Sequence, residues 1–304
     1  MGNLKIFPML FVITGFFSGT SVSARRPPRA SHIFQSDLYT SEPQALLYHV
    51  EIFILRELTI NTSTFNKANL SHQQNDLTGA NHISECGGVI IQRRSVLTAA
   101  SCVYGLEPHQ LVVRAGGDVV PPPDKLHHDR RLFRKVIRIV RHGDYQPNAH
   151  AHDFALLKLS GSFDLADNES FGVAHLPDGV NDHEDKWALV SGYEKSRSIE
   201  SPTNLEQSHF KTLHTKIISN TDCEQLGVYN ITYDSLCSQY THFPGNYCGN
   251  IGDPLMYENE VVGILSSPAK CSNNTILLFT KISVHVRWIR ETILNQDMPD
   301  MIVI

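Results

Sequence analysis

Short apolar runs recur along the chain at residues 46–55, 88–97, 111–114, 136–140, 154–159, 187–190, 261–265 and 276–281. Gly, Pro and Asn punctuate the intervals between them. Many of these runs are rich in Val and Ile, and their length suits buried strands better than helices. A succession of such strands predicts an all-β sandwich or barrel. The last pattern differs. Within residues 283–294, Val286, Ile289, Ile293 and Leu294 recur at helical spacing, and Ser283 is placed to cap the N-terminus.

Three stretches break the pattern. Residues 1–24 carry Lys5, then an apolar run over residues 6–17, then Val22-Ser23-Ala24, the order of a secretory signal peptide with its small-residue cleavage site. The run falls short of the ~20 apolar residues that span a bilayer. Residues 25–40 open on Arg25-Arg26-Pro27-Pro28-Arg29, an extended basic segment that is either a propeptide cleavage region or a disordered N-terminus. Residues 57–81 are polar and rich in Asn, Thr, Ser and Gln, and an irregular loop this long is usually functional or disordered. A further excursion, Pro121-Pro122-Pro123, predicts a polyproline II turn.

Composition changes the picture modestly. Of the 304 residues, 41% are hydrophobic and 19% charged, enough for a sizeable core. The formal net charge of −5 argues against nucleic acid or an anionic membrane as partner, since both reward a basic face. The six cysteines, Cys86, Cys102, Cys223, Cys237, Cys248 and Cys271, read as a disulfide set behind a signal peptide. None forms a C-x-x-C pair, and six cysteines admit about 15 pairings. Sequons at Asn61, Asn69, Asn168, Asn230 and Asn273 predict a glycoprotein.

Several phrases, in order, carry a family resemblance. They are Tyr48-His49-Val50, Cys86-Gly87-Gly88-Val89-Ile90, Val96-Leu97-Thr98-Ala99-Ala100, Asp153-Phe154-Ala155-Leu156-Leu157, Val190-Ser191-Gly192-Tyr193, Val262-Gly263-Ile264 and Trp288-Ile289. Over residues 41–294 the chain resembles the chymotrypsin-like (trypsin-type, S1) serine proteases. The resemblance implies two six-stranded antiparallel β-barrels with a C-terminal helix and a cleft between the barrels. Residues 295–304 then form a tail. Proximity along the chain and the resemblance together favour the disulfides Cys86–Cys102, Cys223–Cys237 and Cys248–Cys271, each contributing roughly 2–4 kcal/mol.

The resemblance also marks where the chemistry departs. The family carries a His immediately before the second Cys of this set, the base that takes the proton from the serine nucleophile. Here that position is Ser101, whose hydroxyl has no useful basicity near neutral pH. Asp153 matches the family's aspartate. Where the family reads Gly-Asp-Ser-Gly-Gly-Pro, this chain reads Gly249-Asn250-Ile251-Gly252-Asp253-Pro254, one residue closer to its Cys. Anchoring on Pro254 puts Ile251 at the nucleophile, and anchoring on Cys248 puts Gly252 there. Neither gives a serine. The matching pocket positions are Asn246, Ser266, Ser267 and Pro268, and Pro268 lacks the N–H that would pair with a bound peptide. Activation signals are absent too: Ile33 follows His32 rather than a basic cleavage residue, and Asn250 replaces the aspartate that would receive a new N-terminus.

His152 precedes Asp153, but strand neighbours face opposite ways, so it is not expected to replace the missing base. His150 and His152 have spacing that could supply two metal ligands, yet solvated loop histidines are the expected reading. No metal or cofactor is expected. The expected function is therefore a secreted, non-catalytic serine protease homologue, binding an extracellular protein such as a protease, inhibitor or receptor. The 57–81 insertion and the 246–253 and 266–271 loops are its candidate surface. The alternatives are a residual serine-type endopeptidase with unorthodox residues, and a small-molecule or glycan carrier using the vacant cleft.

Overall fold

Helix α1 (Pro43–Tyr48) leads into strand β1 (His49–Arg56), so the first apolar run is divided between two elements. Proline opens the helix, where its missing N–H costs nothing. The computed structural model describes residues 43–56, 81–117, 119–120, 132–147, 150–163, 171–193, 208–240, 247–267 and 272–297. The signal segment, residues 25–40, residues 57–80, the three prolines, Asn61, Asn69, Asn168, Asn246, Pro268 and Cys271 lie outside the described residues.

Strands β2 (Asn81–Gln92), β3 (Ser95–Thr98), β4 (Leu111–Ala115), β5 (Val119–Val120), β6 (Phe133–Arg141) and β7 (Ala155–Leu159) follow. The order β1-β2-β3-β7-β6-β4 closes an antiparallel barrel. Both β3 and β7 are buried at every position. Side chains alternate across a strand, so Val96, Leu157 and Leu159 fill the barrel while Leu97 and Leu156 face a second apolar layer.

That layer is completed from the other half of the chain. Strands β8 (Trp187–Tyr193) and β9 (Ser208–Ile218), helix α2 (Asn220–Gln225), strands β10 (Ser235–Tyr240), β11 (Pro254–Tyr257), β12 (Glu260–Ser267) and β13 (Thr275–Lys281), and helix α3 (Val286–Asp297) compose it. The order β10-β13-β12-β11-β8-β9 closes through β9–β10 pairing, and β5 extends this sheet beside β9. Met256, Ile264, Ile289 and Ile293 meet Leu97 and Leu156 in the shared layer. The expected pair of six-stranded barrels is therefore present, joined by this shared apolar layer.

The closing helix differs from expectation in register. It begins at Val286 rather than near Ser283, and the Ser283 hydroxyl is buried without a hydrogen-bond partner. Residues 283–285 form a turn instead: the His285 N–H donates to the Ile282 carbonyl (2.9 Å), and the His285 carbonyl accepts from the Ile289 N–H (3.0 Å). The first helical bond thus ends on His285. Disulfides Cys86–Cys102 and Cys223–Cys237 are formed as expected. Cys248 is also disulfide-bonded; its expected partner Cys271 lies outside the described residues.

Candidate functional site

The seam between the barrels collects the residues singled out by sequence. Ala99 and Ala100, fully buried, lead from β3 into a 3-10 turn over Ser101–Val103, which the Cys86–Cys102 bond holds against β2. Asp153 lies just ahead of β7 and is 2% exposed. The Ser101 N–H donates to Asp153 Oδ1 (2.7 Å), and the Ser101 hydroxyl donates to Oδ2 (2.8 Å). The Thr280 hydroxyl donates to the Asp153 carbonyl (3.1 Å). Ser101 thus engages both carboxylate oxygens, and the Ala100 backbone adds a further hydrogen bond.

Burial pushes the Asp153 carboxyl up to about 6, against the opposing pull of its hydrogen bonds from Ser101. It is still mostly ionised at neutral pH, and the Ser101 hydroxyl is its donor. Tyr145, hydrogen-bonded to Ser101, is itself pushed up by burial and then by Asp153, so its phenol stays protonated at neutral pH.

The second site segment turns tightly through glycines. Gly249 and Gly252 adopt φ of 92° and 87°, values that side chains rarely tolerate. The Ile251 carbonyl accepts from the Gly87 N–H (2.9 Å) and sits 3.7 Å from Cys102 Sγ, next to Ser101 in sequence. The Ile251 side chain is half-buried and packs on both the first barrel's core and the inter-barrel layer. The Gly252 N–H donates to Leu265 (2.8 Å), anchoring the turn to β12. Asn250 turns its N–H inward to Asp253 Oδ2 (2.7 Å), which removes that amide from any ligand.

Asp253 is the feature that motif reading passed over. It is fully buried and accepts the Tyr247 hydroxyl (2.7 Å) as well as the Asn250 N–H. Gly87 and Gly192 make room for it, since a Cβ on either would overlap its carboxylate. His49 Nε2 lies 3.8 Å from Asp253 Oδ1. Burial, followed by the Arg114 charge, pulls His49 down to about 3, so this imidazole is neutral. The Asp in place of a glycine before Pro254 was visible in sequence; the space prepared for it by two distant glycines was not.

His152 corrects the premise used for it. It stands in a turn with φ 57°, not on a strand, and its N–H donates to Asp234 Oδ2 (2.7 Å). Its ring faces Asp234 and stacks on His142, 4.6 Å between centroids. Of the pocket positions, Ser266 is buried and Ser267 half-buried at the end of β12. The sequons at Asn230 and Asn273 are both exposed.

Two closed barrels with an aspartate at their seam define the chymotrypsin-like serine protease class. The chain belongs to the trypsin family: residues 64–289 match the family model described as Trypsin. It is 26% identical to mouse (Mus musculus) kallikrein-8 over 223 residues, covering 70% of this chain and 78% of the relative. Rat (Rattus norvegicus) cationic trypsin-3 is 26% identical over 215 residues, 68% of this chain and 79% of the relative. The clotting factor G beta subunit of Tachypleus tridentatus is 22% identical over 239 residues, 71% and 73% of the two chains. In fold, the chain matches the solved structure of neuropsin, a serine protease expressed in the limbic system of mouse brain. That match has a TM-score of 0.60 at 20% identity, covering 83% of this chain and 96% of neuropsin.

Proposed function

We propose that this chain is a secreted, glycosylated member of the trypsin family that has given up peptide hydrolysis and acts by binding an extracellular protein. One observation carries the proposal: the aspartate that should orient an imidazole has both carboxylate oxygens bound by Ser101 instead. A serine in this position cannot act as the general base, because its hydroxyl already serves as a donor to a carboxylate. Ile251 adds an apolar side chain where the family's nucleophile is expected. In an enzyme with the same triad chemistry, loss of serine or histidine alone costs about 2 × 10⁶ in kcat.

The disulfides support an oxidising, extracellular setting. A rigid scaffold bearing variable loops is a common place for recognition, and the 57–81 insertion is the segment proposed to carry it. The test is capture of partners from the native fluid by the glycosylated chain with and without residues 57–81. Recovery of one protease, inhibitor or receptor by the intact form alone supports the reading. Equal recovery by both forms moves the site to the old cleft loops, and no saturable partner contradicts a binding role.

A further inference from the structure

Three histidines that no part of the protease reading uses converge from three separate segments. His142 follows β6, His152 occupies the turn before Asp153, and His285 ends the turn before α3. Their side chains are 12%, 16% and 5% exposed. One nitrogen from each ring lies within 4.8 Å of those from the other two. Phe154 and Trp288 wall the group, with ring centroids 4.4 Å from His285 and 5.1 Å from His142 respectively.

We propose that His142, His152 and His285 form a binding site for a divalent transition-metal ion, Zn²⁺ being the ion best suited to three imidazoles. Zinc readily takes three protein nitrogens and leaves its fourth position to water or another ligand. Tetrahedral Zn–N bonds place ligand nitrogens about 3.4 Å apart, so side-chain rotation must draw the rings inward and tilt the stacked pair, now 8° apart in plane. The site is independent of whether the chain hydrolyses peptides.

The surroundings favour this reading over a purely structural cluster. Asp234, fully buried, stands behind the rings with Oδ2 3.0 Å from His285 Nε2 and 3.6 Å from His152 Nδ1. On His285 this carboxylate hydrogen bond places the ring hydrogen on Nε2 and leaves the Nδ1 lone pair for a metal. His142 Nδ1 accepts from the Asp144 N–H (3.3 Å), so ligation through Nε2 requires that bond to break and the ring hydrogen to move to Nδ1. His152 Nδ1 is buried without a hydrogen-bond partner, an arrangement that costs about 1–3 kcal/mol when nothing compensates. His150, the other member of the sequence pair, is not part of this group.

The test is calorimetric titration of the chelator-treated full chain with Zn²⁺, alongside the visible spectrum of the Co²⁺ form and the fluorescence of Trp288. The expected result is one saturable site per chain and a tetrahedral Co²⁺ spectrum. His152→Asn, which suits the positive φ, and His142→Gln, on a half-buried loop, should each weaken binding at least about tenfold. Asp234→Asn should weaken it about 10–100-fold, and His109→Gln, on an exposed turn, should not. Circular dichroism identifies any variant that fails to fold, and either histidine variant alone suffices. Absence of saturable binding, or an affinity unchanged in the folded histidine variants, overturns the proposal.

Discussion

Two carboxyls set the pH behaviour in opposite directions, and both belong to residues beside the seam. Asp153 is raised by burial from 3.8 to about 6 in the folded chain. The folded state therefore binds more protons than the unfolded chain between these values, and stability falls as pH rises from about 4 to about 6. Asp153→Asn should flatten this slope, removing a loss on the order of 2–3 kcal/mol. Urea unfolding at steps between pH 4 and pH 7 measures it; an unchanged slope contradicts a carboxyl raised by burial. Asp234 is the counterpart. Burial alone would raise it, but hydrogen bonds from His285, Thr232 and the His152 N–H bring it down to about 2. Its contribution is present above about 4 and lost as pH falls toward 2. At this scale the sequence disclosed identities, not partners. Ser101 before Cys102 was plain, whereas its double hydrogen bond to Asp153, 52 positions away, required the fold.

Strands rich in Val and Ile were legible, and those built on hidden polar residues were not. The runs at 88–97, 111–114, 136–140, 154–159, 187–190, 261–265 and 276–281 all fall mainly on strands. β9 and β10 escaped notice because Thr212, Thr215, Ser235 and Ser238 occupy buried positions that hydropathy treats as surface. Thr215 and Ser238 resolve that conflict by bonding to each other across the two strands (2.9 Å). The closing helix was read correctly in kind but three residues early, since Ser283 resembles a cap in sequence and lies in the preceding turn. The element with the greatest influence on the site is the 3-10 turn bearing Ser101. The Cys86–Cys102 bond, closing a separation of 16 residues, ties it to β2. Replacing both cysteines by serine should cost about 3 kcal/mol, read as a lowered urea midpoint. Loss of less than about 1 kcal/mol would mean that the turn is held by packing alone.

Across the whole molecule, the two barrels share an apolar layer. Leu97, Phe154 and Leu156 from the first half meet Met256, Ile264 and Ile289 from the second, and Ile251 packs on both this layer and the first barrel's core. This mutual burial holds the trypsin scaffold together through apolar packing that does not involve Ser101 or Asp153. The fold was legible because hydrophobic spacing and the order of short phrases are global properties of a chain. The histidine group was not, because its members lie 10 and 133 positions apart and meet only when the barrels close.

The most direct measurement is peptide and ester turnover by the folded chain across a broad substrate library, with fluorophosphonate labelling in parallel. The expected result is no turnover above that of Ser101→Ala and Asp153→Ala variants, and no labelled serine. Turnover that disappears in either variant would contradict it, and would make Ser101 and Asp153 a working pair.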